Sequence, residues 1–546
     1  MPHATLPEKL KPRSHVSPAD AWVNHELSRC SYAILRGISA IRSSTQIHLF
    51  LPAPTSTVTM RASLSPFTAC TDTMLRRSLP GLSYSSWWLG AILLAAAWLL
   101  AWLPLPVAGA LLAAATFGAI LLIWPVVGLY ALVLILPFAP VMRISMGPAT
   151  VGPTDLLLAA TALAWFLQHV ALGRRFRPLP LLWLILPFFL ALLYSTLAAA
   201  SLEQALPELV KWVEFLVIYG LGVQLLDRQH RFPLLVAILV AAAVEAGLGL
   251  VQFLFRLGPE SFQLGPYLRA YGTFRQPNPF AGYLGLVLPL GLALTLWAGE
   301  RAWARRHQRK AALLQLLLAG LLAVLVVTVA AGIVASWSRG AWLGVLASSV
   351  VVLLLYSTAG RMAVLVGAGL ALLASPLFPA ALKARLLDVA RYFGTWNARG
   401  AVITDANYSV LERVAHWQAA WEMFADHFWL GVGVGNWDTA YSRYAIPPWY
   451  DPMGHAHNVL FHYAAVAGIF GALTYLWMWL GALAAALLSV ARNRGLQRSL
   501  SIGVAGLLIH LSVHNQLDNL WVQGMPLLIA LALSLLDLRP TGNQRG

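Results

Sequence analysis

Residues 311–334 read AALLQLLLAGLLAVLVVTVAAGIV, a run of 24 residues without a charged side chain. A helix of about 20 apolar residues is long enough to cross the ~30 Å hydrocarbon core of a membrane. In a helix each backbone N–H and C=O inside the hydrocarbon is hydrogen-bonded within the same segment. This stretch therefore predicts a membrane-spanning helix.

Similar runs recur along the 546-residue chain, in which 59% of residues are hydrophobic and only 11% are charged. Soluble proteins carry about 25% charged residues. We therefore predict an all-α polytopic integral membrane protein with about 12–14 transmembrane helices. Fourteen candidate spans lie at 84–102, 106–122, 125–142, 154–171, 180–199, 207–226, 233–255, 278–298, 311–334, 341–357, 361–378, 457–489, 499–514 and 521–537.

The N-terminal segment 1–73 differs from the remainder, because it is rich in Ser and Thr and has no apolar run long enough to span. We expect a disordered tail, or upstream sequence translated from a misassigned start, since Met74 opens a more typical beginning. Both cysteines fall in this tail, so they indicate no disulfide or metal site in the body. Residues 74–378 then hold eleven spans, 379–456 form one large loop, and 457–546 hold three spans and a cytoplasmic C-terminus.

The net charge of +16 fits membrane topology better than nucleic-acid binding. Cytoplasmic loops of membrane proteins carry an excess of Lys and Arg. If Arg76 and Arg77 are cytoplasmic, alternation of the fourteen spans places every basic cluster between spans on that same side. These clusters lie at 173–177, 227–231, 300–310, 361 and 491–498. We therefore expect membrane lipid and no nucleic acid among the partners.

The 379–456 loop falls on the opposite, extracytoplasmic side in this topology. It contains six tryptophans, and the stretch VLERVAHWQAAWEMFADH (410–427) has helical periodicity. Val414, Trp417, Trp421 and Phe424 recur at the spacing of one helix face. The loop is therefore predicted to be a folded subdomain of short helices.

Arginines on the extracytoplasmic side run against the charge bias and are candidates for a functional role. Arg339 lies in a tight turn between two spans, Arg413 on the loop helix with Trp417 one turn later, and Arg275 in the turn GTFRQPN. Arginine presents paired donors that suit phosphate oxygens. The alternatives are a snorkelling side chain for Arg339, stacking on Trp417 for Arg413, and an interface anchor for Arg275.

His457 stands at the start of an apolar run, where a neutral imidazole could take a proton. The alternative is a polar residue that merely ends a span. His455, His457 and His462, with Asp451 nearby, also raise the possibility of zinc. Without a cysteine partner or an HExxH pattern this metal signal is weak, and we expect no metal.

The stretch HNVLFHYAAVAGIFG (457–471) is similar to the HN-x9-GxxG signature of the bacterial O-antigen ligase and polymerase superfamily. Further matching pieces occur in order: GTFRQPNPFAGYL (272–284), SRGAWLG (338–344) and ERVAHWQAAWEMFADHFWLGVGVGNW (412–437). The resemblance covers roughly residues 230–535. Its glycine-rich GVGVGNW piece resembles the family's loop segment and is not a nucleotide-binding fingerprint, because no strand precedes it.

The resemblance implies a metal-independent, cofactor-free, inverting membrane glycosyltransferase of lipopolysaccharide biosynthesis. It would move a glycan from an undecaprenyl-diphosphate carrier to the hydroxyl of a lipid or glycan acceptor, at the outer face of the cytoplasmic membrane. Arg339, Arg413 and, less closely, Arg275 match the family's diphosphate-binding arginines, and His457 matches its essential histidine. Supporting roles are expected for four neighbours, Asn458, His455, Trp417 and Asn278.

Two alternatives stay open at this point. A polysaccharide polymerase, or a member that glycosylates protein, would use the same motifs. A small-anion transporter of the bicarbonate type would instead rely on ionisable residues in the spans, which are costly there and often functional. The candidates for that role are Glu203, Glu208, Lys211, Glu214 and Glu245.

Overall fold

The computed structural model describes residues 101–146, 149–378, 397–404 and 407–538, together with residues 95, 98 and 383. The expectations for segment 1–73, most of the first candidate span and the beginning of the large loop lie outside these residues. The chain divides into two compact units, 1–110 and 111–546. All helices after the first, and the whole candidate site, belong to the second unit.

The described residues form fifteen α-helices and two short antiparallel hairpins. The helices are α1 (Leu105–Ile123), α2 (Val126–Ile135), α3 (Pro153–Ala171), α4 (Leu182–Ser195), α5 (Leu202–Leu225), α6 (Arg228–Phe255), α7 (Pro277–Ala304), α8 (Arg309–Ala335), α9 (Arg339–Tyr356), α10 (Thr358–Ala374), α11 (Tyr408–Asp426), α12 (Trp437–Tyr444), α13 (Val459–Arg492), α14 (Gly495–His514) and α15 (Met525–Ser534). The hairpins pair β1 (Ile144–Met146) with β2 (Ala149–Val151), and β3 (Gln263–Leu264) with β4 (Tyr267–Leu268).

Within the described part, nine helices are long and apolar enough to cross a membrane: α1, α3, α6, α7, α8, α9, α10, α13 and α14. Three shorter apolar helical segments contain α2, α4 and α15. Helix α5 is not among these nine, since it carries Glu208, Lys211 and Glu214 along one stretch. The predicted class, an all-α polytopic membrane protein, is confirmed.

Helix α7 is the central element of the second unit. Its side chains are buried along most of its length, and it packs against α6, α8, α9 and α14. Glycines bring these helices close together: a Cβ on Gly285 or Gly344 would collide with the ring of His510 in α14. Small residues commonly allow such close approach of membrane helices.

The described part of the 379–456 loop contains α11 and α12, as predicted, with a small apolar core of its own around Val410, Val414 and Trp449. The periodic apolar residues of α11 do not coincide with its buried face. Trp421 is exposed, whereas the buried face runs through Ala415, Ala419, Ala420 and Met423. Small alanines contribute little to apolar periodicity, yet they let α11 lie close against α13.

Candidate functional site

A pocket of about 280 Å³ opens where the β3 hairpin, the first turn of α9, helix α11 and the connection after α14 meet. We call the end of the helix bundle that carries it the site end. The charged, amide and imidazole groups in its wall are Gln263, Arg269, Asn278, Arg339, Arg413, His514 and Asp518. Three of the predicted site residues, Arg339, Arg413 and Asn278, therefore share one pocket.

Arg339 and Arg413 are fixed in place by polar groups around Ser409. The Arg339 guanidinium donates to the Ser409 hydroxyl, and Nη1 of Arg413 donates to the Ser409 carbonyl at 2.7 Å. Nε of Arg413 donates to the carbonyl of Leu517 at 2.8 Å. Arg339 is the first residue of α9 and is only 8% exposed. Both guanidinium groups are thus held in a fixed geometry at the pocket wall.

Arg269 is a third arginine of the pocket, and it lies outside the predicted set of site residues. Its Nε donates to the Ser336 carbonyl at 2.8 Å, and its Nη2 donates to Oδ1 of Asn278 at 2.8 Å. Arg275, which was predicted, is exposed and does not line this pocket. Both arginines lie in the connection between β4 and α7, so the path of this connection decides which one faces the pocket.

His457 lies next to the pocket wall, in the left-handed backbone region with φ +55°. Such a backbone conformation is uncommon for residues other than glycine and is concentrated at functional sites. Its side chain is buried, and Nδ1 lies 3.9 Å from Oδ1 of Asp518. Burial, followed by the charges of His455, Arg413 and His416, lowers the pKa of His457 well below its usual value. The ring is therefore neutral near neutral pH and able to accept a proton.

His455 supports His457 from two residues upstream. Its Nδ1 accepts the backbone N–H of His457 at 3.0 Å, so in the neutral ring the proton resides on Nε2. That Nε2 lies 3.6 Å from Oδ1 of Asp518. Burial is the largest influence on the pKa of His455 and lowers it. His455, His457 and Asp518 thus form one polar group behind the arginine pocket.

The same three residues bring their ligand atoms within 4.8 Å of one another, as a metal site would. A metal on Nε2 of His455 needs a lone pair there, while Nδ1 already accepts the backbone N–H of His457. Both nitrogens would then lack a proton, which requires an anionic ring. Metal-bound histidines normally donate from the second nitrogen. The arrangement therefore fits a proton relay better than a metal centre.

Asn458 fixes the position of His457 by capping α13. Its Oδ1 accepts the N–H groups of Leu460 and Phe461 at 3.0 and 3.2 Å, and its Nδ2 donates to Oε1 of Gln516 at 3.1 Å. Such a cap stabilises a helix start by about 1 kcal/mol. Because Gln516 lies in the connection that carries Asp518, the cap also fixes His457 relative to that carboxylate. Trp417 packs against Phe461 behind the site, with ring centroids 6.1 Å apart.

The GxxG part of the histidine motif (468–471) and the glycine-rich piece GVGVGNW (431–437) meet at a kink in α13. Gly468 has φ +64°, and the helical bond from Ile469 to Ala465 is replaced by two others. Ile469 N–H donates to the Phe428 carbonyl at 2.8 Å, and Val432 N–H donates to the Ala465 carbonyl at 2.9 Å. A Cβ on Gly468 would lie 2.3 Å from the Trp429 carbonyl oxygen. The glycine-rich segment therefore packs closely against α13 and hydrogen-bonds its backbone at the kink.

Several site residues were missed because they are polar without belonging to a recognised motif. Asp518 and His514 lie in the segment HNQLDN (514–519), and Ser409 opens the loop helix. The signal was a polar stretch of unusual length between two apolar runs. The His514 ring packs against Gly340, where a Cβ would meet Cδ2 at 2.8 Å, and this contact holds the first turn of α9 in place.

Three of the charged residues considered for transport, Glu208, Lys211 and Glu245, have partners in the structure. Glu245 in α6 accepts the Thr273 N–H at 2.6 Å and the Thr273 hydroxyl at 3.1 Å, and so holds the turn that leads to Asn278. Glu208 pairs with Lys211 at 2.5 Å within α5. Glu245 therefore contributes to the packing of the site end, whereas the charge of Glu208 is compensated within its own helix.

The fold and the site define a polytopic membrane protein with an arginine-lined pocket beside a buried histidine. Residues 324–476 match the family model described as O-Antigen ligase, a segment that contains Arg339, Arg413 and His457. The predicted resemblance to the O-antigen ligase superfamily is thereby confirmed, and the family points to a glycan-transferring enzyme. Arg269, Asn278 and Asp518 lie outside the matched segment. A search of curated proteins found no match to this chain.

Proposed function

We propose that the protein is an O-antigen ligase-like glycosyltransferase that uses an undecaprenyl-diphosphate-linked glycan as donor. The observation that carries the proposal is the convergence of Arg269, Arg339 and Arg413 on one pocket whose wall also contains Asp518, the neighbour of His457. A diphosphate leaving group gains negative charge as its bond to the sugar breaks. Fixed guanidinium groups stabilise that charge more in the transition state than in the ground state.

His457 acts as general base in this mechanism. It takes the proton of the acceptor hydroxyl while that oxygen attacks the anomeric carbon, and the bond from this carbon to the diphosphate oxygen breaks. The products are the glycosylated acceptor and undecaprenyl diphosphate, and the single displacement inverts the anomeric centre. Asp518 stabilises the imidazolium that forms, in the way a carboxylate assists histidine in other enzymes.

The site end faces the periplasm, or the cell exterior, in this proposal, and the protein resides in the cytoplasmic membrane. Support comes from the charge distribution, since basic clusters follow the other ends of the helices. The acceptor is a lipid or a glycan. A ligase acts on a lipid-anchored core, and a polymerase acts on a second lipid-linked repeat.

The test compares His457→Ala and Arg339→Ala with wild type in membranes from a host that lacks its own enzyme. Membranes receive a lipid-diphosphate glycan and candidate acceptors, and transferred glycan is measured. We expect a loss of about 10²–10⁴-fold for the histidine variant and about 10²–10³-fold for the arginine variant. The matched controls are the exposed residues His307 and Arg443, each changed to Ala. Full activity in both site variants would overturn the proposal, and the acceptor used distinguishes ligase from polymerase.

A further inference from the structure

A second, larger cavity lies at the end of the bundle opposite the site end. It has a volume of about 720 Å³ and is formed by the start of α6, the end of α13 and the start of α14. The full length of α13 separates it from His457. We call it the basic cavity, because its polar lining is Arg228, Arg231, Arg492, Asn493, Arg494 and Gln497.

The basic cavity carries a concentration of positive charge. Arg228, Arg492 and Arg494 are exposed at its surface, while Arg231 is buried and bonds Gln497. No carboxylate side chain occurs among the described residues that line it. Of the nearby acids, Asp227 is paired with Arg177 at 2.8 Å. Four guanidinium groups around one cavity suit an anion with several oxygens, such as phosphate, whose oxygens match the paired donors of arginine.

The remaining wall of the cavity is apolar. Ala491, Leu496 and Leu500 complete the lining, and Leu500 is buried. A soluble phosphate ion gains nothing from such a wall, whereas a lipid places its acyl chains against it and its headgroup among the arginines. Basic pockets between membrane helices are known to bind anionic headgroups.

The cavity is also preorganised by contacts beneath the arginines. Nε2 of Gln497 donates to the Leu535 carbonyl at 2.7 Å, Nη1 of Arg492 donates to the Leu538 carbonyl at 3.1 Å, and Nδ2 of Asn493 donates to the Asp537 carbonyl at 2.9 Å. The segment after α15 therefore ties the end of α13 to the start of α14. A ligand bound here would brace the junction of three helices.

We propose that the basic cavity is a binding site for the phosphate headgroup of an anionic membrane lipid. The inference is independent of the proposed glycan transfer, because the cavity shares no residue with the site at the other end. The proposal explains why these arginines surround one cavity. The excess of Lys and Arg that sets membrane topology requires them only to lie on one side of the membrane.

The test titrates the purified full-length protein in detergent with phosphatidylglycerol or phosphatidylcholine and counts bound lipids by native mass spectrometry. An arginine near anionic lipid contributes about a fivefold gain in binding. The variant Arg228→Gln/Arg492→Gln/Arg494→Gln should therefore bind phosphatidylglycerol roughly 100-fold more weakly than wild type. Phosphatidylcholine should bind weakly to both proteins.

The matched control removes the same charge at the same end of the bundle, as Arg306→Gln/Arg309→Gln/Lys310→Gln. These control residues lie at the same end of the bundle as the basic cavity, because Tyr356 links the two regions. Its carbonyl accepts a hydrogen bond from Nη1 of Arg498 at 3.1 Å, and its hydroxyl donates to Glu300 at 2.8 Å. The control should bind phosphatidylglycerol as wild type does. Equal loss in both triple variants, or no loss in either, would overturn the proposal.

Two further arms complete the experiment. Millimolar inorganic phosphate should leave the lipid bound, and displacement of the lipid by phosphate would refute recognition of a lipid. If the triple variant fails to fold, the double variant Arg228→Gln/Arg494→Gln keeps the bond from Arg492 to the Leu538 carbonyl and should still bind about 25-fold more weakly. Unchanged binding in a folded double variant would equally refute the site.

Discussion

Arg339 and Arg413 are joined through a single residue, because one donates to the hydroxyl of Ser409 and the other to its carbonyl. The first turn of α9 and the helix of the large loop are thereby locked together at the pocket. The relative position of the two guanidinium groups depends on this residue.

Ser409→Ala removes the hydroxyl partner of Arg339 and leaves the carbonyl partner of Arg413. A hydrogen bond to a charged group contributes about 1.5–3 kcal/mol, so we expect transfer to fall roughly tenfold or more, with an increased KM for the donor. Steady-state kinetics on reconstituted protein measure this. Ser409→Thr keeps the hydroxyl and should restore most of the activity, and a failure of that rescue would count against positioning of Arg339.

Arg339→Lys keeps the charge but loses the planar fork that binds two phosphate oxygens. Lysine is a poor substitute at such a site, and we expect at least about a tenfold loss of kcat/KM. The measurement is transfer with donor at limiting concentration. Arg443→Lys, on the exposed face of α12, is the control and should be silent. Equal activity of Arg339→Lys and wild type would show that a point charge is sufficient.

Asp518→Asn removes the carboxylate beside His457 and His455 while it keeps the shape of the side chain. The imidazolium formed in the reaction then lacks its counter-charge, and we expect kcat to fall about 10- to 100-fold. KM for the donor should change little, because the arginines stay in place. A large increase in KM with unchanged kcat would place Asp518 in donor binding instead.

The pH profile of transfer tests the environment of His457. Burial lowers its pKa well below its usual value, so the neutral, basic form persists at pH values where an ordinary histidine, with a pKa of about 6.5, is protonated. Activity should therefore be constant from about pH 7.5 down to about pH 6 and fall only in more acidic solution. A loss of activity centred near pH 6.5 or above would contradict this.

The same shift affects stability. With a lowered pKa in the folded state, the unfolded chain binds more protons, so stability falls as the pH drops through the unfolded value of about 6.5. Below the folded pKa no further change arises from this group. Thermal unfolding of the detergent-solubilised protein at a series of pH values should show the decline in wild type, and a smaller decline in His457→Gln.

Gly468→Ala should destabilise the fold. The backbone there has φ +64°, and the new Cβ would lie 2.3 Å from the Trp429 carbonyl oxygen. We expect about 2–5 kcal/mol of lost stability, measured by thermal unfolding. Gly247→Ala in α6 is the control, since a Cβ at that position meets no atom within 4 Å. Equal stability of the two variants would show that the kink tolerates a side chain.

The sequence was sufficient for the membrane class, because a water-soluble fold rarely accommodates so many long apolar runs in one chain. Thirteen of the fourteen candidate spans correspond to helices among the described residues, including the charged α5. The chemistry of arginine and histidine, together with the motif, also singled out Arg339, Arg413 and His457, of which the two arginines line one pocket. These residues were detectable because a charged group at the end of an apolar run is costly without a role.

What the sequence could not supply was the direction of side chains and the contacts between distant segments. Arg269 and Arg275 are the same residue type and lie six residues apart in one connection. Only the path of the backbone makes Arg269 face the pocket and Arg275 face solvent. Asp518 approaches His457 across the connection between two helices, a contact that no local pattern encodes. The buried face of α11 was missed because alanine is a weak apolar signal.

The pocket wall is assembled from four stretches far apart in the chain: the β3 hairpin with the start of α7, the start of α9, the start of α11 and the end of α14. The segment that matches the family model contains only two of them, those around Arg339 and Arg413. A fragment cut at the limits of that match would lose Arg269, Asn278 and Asp518 together. Because α4 packs against α13 and α5 packs against α15, chimeras with relatives should exchange these two helices together with all four stretches of the pocket wall.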